Sequence, residues 1–203
     1  MRRCSKCLLP FFAALLLCAC VKGDWTAVVS FCEHTKTAQY PALQLTDCLL
    51  TETKGEKHFY WELENGVSLR LICNEEGAVA QCRLLLQRLN TDGTAMPVTE
   101  ERVRVFCARA EQVCAALSEI SPEQTENLFR SLRLRETKAY AERGESDLFR
   151  EGGFTARLVN QNAETVLEIS NRWLFPQSEK ETPESVPAFD ETTNIRTETV
   201  PLK

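Results

Sequence analysis

Period-two alternation marks the middle of the chain. Val67, Leu69, Leu71 and Cys73 are apolar at every second position, and Ala80, Cys82, Leu84 and Leu86 repeat the pattern. Each set lines one face of a strand, because successive strand side chains point to opposite faces. Upstream, 57–63 alternates too. Phe59, Trp61 and Leu63 share one face, and His58, Tyr60 and Glu62 share the other. Asn65-Gly66 between these runs is the strongest hairpin signal in the chain. Strands at 57–63, 67–73 and 79–88 therefore form a meander. Two earlier runs, 25–32 and 42–51, also read as strands on their β-branched and aromatic content.

The period then changes. Val103, Phe106, Cys107, Ala110, Val113, Cys114 and Leu117 fall on one helical face within 99–120. Thr99 is the N-cap, and Val98 with Val103 forms a hydrophobic staple. A second helix begins at Ser121-Pro122, with an N-cap serine, proline at the first position and Gln124 completing a capping box. Its apolar face is Leu128, Phe129 and Leu132. The stretch 138–153 has no clear period. Runs at 154–160 and 165–173, around Gln161-Asn162-Ala163-Glu164, form a last hairpin. The pattern predicts an α+β fold: an antiparallel sheet of a meander plus a C-terminal hairpin, with a two-helix layer on one face. The single domain spans 25–175. From 176 to 203 Glu, Thr, Ser and Pro dominate, which predicts a disordered, solvated tail. Within it, 186–189 (Val-Pro-Ala-Phe) is the one apolar docking segment to set against that reading.

The amino terminus has the three parts of a secretion signal. Arg2, Arg3 and Lys6 precede an apolar run, and small residues follow. The run reaches about 15 residues and Pro10 interrupts it, whereas a spanning helix needs about 20. An ordinary cut after Ala19 would set Leu17 at −3, which is too large. Leu17-Cys18-Ala19-Cys20 instead resembles the bacterial lipobox, with Cys18 departing from the usual small residue. The resemblance implies a signal peptide over 1–19 and a diacylglycerol anchor on the Cys20 thiol. Residues 20–24 are then a short tether of at most about 14 Å beyond the anchor. Val21, where an aspartate would favour inner-membrane retention, implies the outer membrane by the same resemblance. The Cys4–Cys7 C-x-x-C spacing lies in the discarded segment.

Removing Cys20 leaves six cysteines: Cys32, Cys48, Cys73, Cys82, Cys107 and Cys114. An even number in an oxidising envelope predicts disulfides. Cys107 and Cys114 are seven helical residues apart, roughly 10.5 Å. A disulfide tolerates less than about 7 Å, so these two cannot pair. A Gly77-Ala78 turn sets Cys73 opposite Cys82, and a longer turn over 75–78 makes them diagonal neighbours. A Cys73–Cys82 bridge is expected, with Cys32 and Cys48 tied to Cys107 and Cys114 in either order. Free buried thiols are the competing reading. Zinc is disfavoured, because the chain after the signal has no close ligand pairs and His34 and His58 stand alone.

Charge narrows the partners. The chain carries 24 basic and 29 acidic residues, net −5; without 1–19 it is 21 against 29, net −8. Such a surface repels phosphate backbones, so nucleic acid is not an expected partner. There is no phosphate loop, G-x-S-x-G or H-E-x-x-H. A histidine-based site would have to use His34, read as lying in a solvated loop, or His58, whose weak pairing with Glu62 lies on a polar strand face. Trp25, Trp61 and Trp173 fall at strand positions and read as core. No catalytic residue, cofactor or metal is assigned. The leading expectation is a membrane-anchored envelope lipoprotein that binds a protein partner, as an assembly or inhibitor module. A secreted or tethered hydrolase with an unrecognised site is the alternative. An accessory subunit, marked by an exposed apolar patch, is a third.

Overall fold

The computed structural model describes residues 26–172 except Lys54 and Glu142. Expectations for Cys20, Trp25, Trp173 and the tail lie outside these residues. Among the described residues, three α-helices pack on one face of a single eight-stranded antiparallel sheet. The helices are α1 (Val28–His34), α2 (Glu100–Ala116) and α3 (Pro122–Ser131). The strands are β1 (Leu49–Thr53), β2 (Glu56–Glu62), β3 (Val67–Cys73), β4 (Val79–Gln87), β5 (Gly144–Glu145), β6 (Phe149–Glu151), β7 (Phe154–Asn160) and β8 (Glu164–Asn171). Their spatial order is β1-β2-β3-β4-β8-β7-β5, with β6 also on β7. The α+β expectation holds, and the β4–β8 ladder fuses meander and final hairpin into one sheet.

The alternation does what period two requires. Phe59, Trp61, Val67, Leu69, Leu71, Cys73, Cys82, Leu84 and Leu86 are all buried in the core under the helices. One position departs. The β3–β4 register shifts between Ile72 and Cys73, so Cys73 pairs with Val79 and Ala80 becomes the extra residue of a bulge. Val79 therefore takes the core position expected for Ala80.

Both long helices form as their sequences dictate. The Thr99 side chain accepts from the Arg102 backbone N–H, and Ser121 with Gln124 makes a complete capping box. Each cap satisfies backbone donors that a helix start otherwise leaves open. From α2, Phe106 meets the Tyr140 ring edge-on at 5.8 Å between centroids. Each such fully buried aromatic is worth roughly 1.5–3 kcal/mol.

Two strand expectations are corrected. The described part of the 25–32 run, from Thr26 on, does not form a strand. Thr26 and Ala27 run along the β3–β4 turn, with Val79 N–H bonded to Thr26 O at 3.1 Å and Val28 N–H to Gly77 O at 3.1 Å. The chain then coils into α1. There Val28, Phe31, Cys32 and Thr35 turn inward at helical spacing, and Val29 is left 55 % exposed. β-branched content suggested a strand, and packing against α2 selected the helix. Among the described residues the helix layer thus has three members rather than two. The 42–51 strand is likewise shorter and later: a 3₁₀ turn occupies Leu45–Asp47, and pairing begins at Leu49. The Trp61 indole N–H donates to Gln44 O at 2.9 Å and pins this turn to β2.

Candidate functional site

The sheet has two very different edges. On one, β7 is covered along its length. Asn160 and Val159 pair with β5, Phe154 to Ala156 pair with β6, and between them Ser146 N–H donates to Leu158 O at 2.8 Å. These covering strands have two and three residues, too short and interrupted to template another chain. On the other edge stands β1, five residues in unbroken register with β2 from Leu49↔Tyr60 to Thr53↔Glu56. All five are exposed.

Of the devices that usually blunt an edge, β1 has a single charge, Glu52, and no proline, no lysine and no bulge. It carries large apolar side chains instead. Leu49 is 65 % exposed, Leu50 54 % and the neighbouring Leu45 38 %. Leu50 lies on the helix-side face opposite Phe59, which is only 8 % exposed. The core therefore ends between β2 and β1, and Leu50 projects past it. An open ladder flanked by exposed leucines can accept an added strand, with backbone groups supplying bonds and the leucines supplying apolar contact.

A concave feature of about 720 Å³ lies between α2 and the chain after α3. Val103, Cys107 and Ala108 line its floor, with Arg104 and Lys138 among its cations. Its arginines are largely committed: Arg133 to Glu136, and Arg135 to Glu111 and Glu126. Bonds from those two carboxylates outweigh burial and push the Arg135 pKa up.

The six cysteines among the described residues are free thiols. Cys73 and Cys82 sit on neighbouring strands as diagonal neighbours, with Cys82 opposite Leu71 and Cys73 opposite Val79 across the bulge. Cys107 and Cys114 both face inward from an intact α2, as their spacing requires. The Cys107 thiol donates to Leu134 O at 3.0 Å, whereas the Cys48 thiol donates to Leu45 O at 3.1 Å beside β1. Burial pushes Cys32 and Cys107 up to about 11, and Cys73 and Cys114 up to about 12. Burial also raises Cys82, with Cys73 and Cys114 nearby adding to the effect. Thiols that resist ionisation are poor nucleophiles and poor metal ligands. Among the described residues no group of three or more His, Cys, Asp or Glu is placed to hold a metal ion.

The two histidines lie apart. His34 ends α1 rather than lying in a loop, and its Nδ1 is 3.3 Å from Ser30 Oγ on an exposed surface. His58, Tyr60 and Glu62 share the sheet face away from the helices, as expected. The carboxylate that meets His58 is Glu56, at 3.3 Å from Nε2, rather than Glu62. Arg70 Nη2 contacts His58 Nδ1 at 2.5 Å. A guanidinium only donates, so Nδ1 accepts and Nε2 carries the proton toward Glu56. Both ring nitrogens are thus engaged.

Sequence reasoning missed a polar clamp beneath the helices. Arg109, only 8 % exposed, bonds Glu64 through Nε at 3.0 Å and again through Nη2, and donates from Nη1 to Gln112 Oε1 at 2.8 Å. Gln112 in turn donates to Thr35 O. Arg109 flanks the apolar stripe of α2, three residues after Phe106 and four before Val113, and that position was the available signal, since arginine is almost never buried unpaired. Comparison with protein-family models, curated proteins and solved structures finds no match for this chain.

Proposed function

We propose that this chain is a lipid-anchored envelope protein, held at the outer membrane through Cys20, that works by binding protein at the open β1 edge. The observation that carries the binding role is a regular five-residue edge strand with Leu49 and Leu50 left in solvent. Soluble proteins rarely leave such an edge uncovered, because it invites pairing with other chains. The anchor rests on the Leu17-Cys18-Ala19-Cys20 resemblance. No helix among the described residues is long and apolar enough to cross a membrane, so these residues supply no helical span of their own.

Two measurements test this reading. Metabolic labelling with a fatty acid should mark the wild-type chain and leave Cys20→Ser unlabelled and released from membranes. Label retained on Cys20→Ser overturns the anchor. Affinity capture from cross-linked envelopes should recover bound protein with the wild type and lose it with Leu49→Lys/Leu50→Lys. Equal recovery overturns the edge as the binding surface.

A further inference from the structure

Among the described residues the sheet has one long open edge, and that limits what can be built on it. A molecule with two open edges can add copies without end, while one open edge permits only a closed pair. We propose that β1 is a dimerisation strand: two copies join antiparallel about a two-fold axis through Leu50, making one continuous sixteen-stranded sheet from two eight-stranded ones. This rests on the reading that the β1 edge is where the chain binds protein, and it names the partner as a second copy.

The β1 sequence is self-complementary in that register. A two-fold axis normal to the sheet pairs each residue with its symmetry mate and keeps every side chain on its own face. Leu50 then meets Leu50 of the second copy on the helix-side face, where each is 54 % exposed in the single chain. Leu49 falls opposite Thr51 and Glu52 opposite Cys48, where the ladder ends because Leu45–Asp47 form a 3₁₀ turn. No like charges are opposed. The only charge on the strand, Glu52, lies about 14 Å from its mate at strand spacing. That exceeds the screening length of about 8 Å at physiological salt. Shifting the axis to Thr51 would use the whole strand but set Leu50 against Glu52. The Leu50 axis removes apolar surface from water without burying a carboxylate. Strand pairing is a small interface by itself. Tethering both copies to one membrane raises their effective concentration, which favours the pair.

The test uses the full-length chain in membranes, with Cys48→Ser to remove the half-buried native thiol. Single cysteines are then added by Leu50→Cys or Thr53→Cys. Mild oxidation should give a disulfide-linked band of twice the chain mass, strongest for Leu50→Cys, where the two positions face each other. It should be weak for Thr53→Cys, which lies six strand residues from its mate, roughly 20 Å. The parent Cys48→Ser chain sets the background. In a separate arm, Leu50→Asp opposes two carboxylates and should weaken self-association about tenfold, read by sedimentation of the detergent-solubilised chain. A Leu50→Cys chain no more cross-linked than background, together with a wild-type chain that sediments as a monomer, overturns the dimer. Cross-linking of Leu50→Cys to a different protein also overturns it, while leaving the protein-binding role of β1 intact.

Discussion

The Arg109 guanidinium carbon lies 3.5 Å from the centroid of the Tyr40 ring. The same guanidinium takes both carboxylate oxygens of Glu64. One side chain from α2 therefore holds the turn before β3 and stacks on the loop that leads from α1 to β1. This is the contact through which the helix layer fixes the approach to the open edge.

Removing the arginine leaves Glu64 and Gln112 without their shared partner. Arg109→Ala should destabilise the fold by about 2 kcal/mol, below the range for a fully buried pair because Glu64 is partly exposed. Arg109→Lys should recover little of the loss, since an ammonium can neither fork to both oxygens nor stack on Tyr40 in the same way. Urea unfolding midpoints check both.

The clamp should also respond to acid. Burial would raise the Glu64 pKa, but the bonds from Arg109, its own backbone N–H and Tyr40 outweigh burial and hold it below the usual carboxylate value. A depressed carboxyl contributes stability that is present above its unfolded pKa and lost as pH falls through the folded value. The stability gap between wild type and Glu64→Gln should therefore be largest near neutrality and shrink as pH drops below about 4.5. Unfolding midpoints at several pH values check the slope.

The thiols should respond to base. The folded values near 11 and 12 for Cys32, Cys107, Cys73 and Cys114 exceed the ordinary 9.0. For a group raised in this way, stability is complete below the unfolded pKa and is lost as pH rises toward the folded one. The thermal midpoint in reductant should fall as pH is raised above 9. At pH 8, maleimide should label Cys48 first among these six, because the other five are buried. Peptide mapping reads the order. A Cys107–Cys114 bond in the same maps would contradict α2.

Substituting His34 and His58 separately separates binding from hydrolysis. His58→Ala removes the acceptor for Arg70, and His34→Ala removes only an exposed contact with Ser30. Neither should alter capture of partner protein at β1. A hydrolytic activity that disappeared with either change would establish the alternative reading.

Local signals were legible because they are local. The capping box at Ser121, the cap at Thr99 and the inward face of α2 depend on residues within a few positions of one another. So do the alternation of β2 to β4 and the turn after Asn160. The α1 segment was misread because Val28 and Val29 favour a strand by composition, while burial of Phe31 and Cys32 against α2 decides for the helix. The bulge that exchanges Ala80 for Val79 left no mark in an alternation that suits either residue.

The sequence alone determined the class of fold, the capped starts of its two long helices, the inward faces of its central strands and the impossibility of a Cys107–Cys114 bridge. Each follows from periodicity or backbone geometry, which act over short stretches of chain. Only the tertiary structure decided that β4 pairs with β8, that β5 and β6 close one edge, and that β1 is left at the other with its leucines in water. Leu49 and Leu50 read as ordinary strand residues until the whole sheet is assembled. An edge is a property of what fails to lie beside a strand, and no local pattern encodes it.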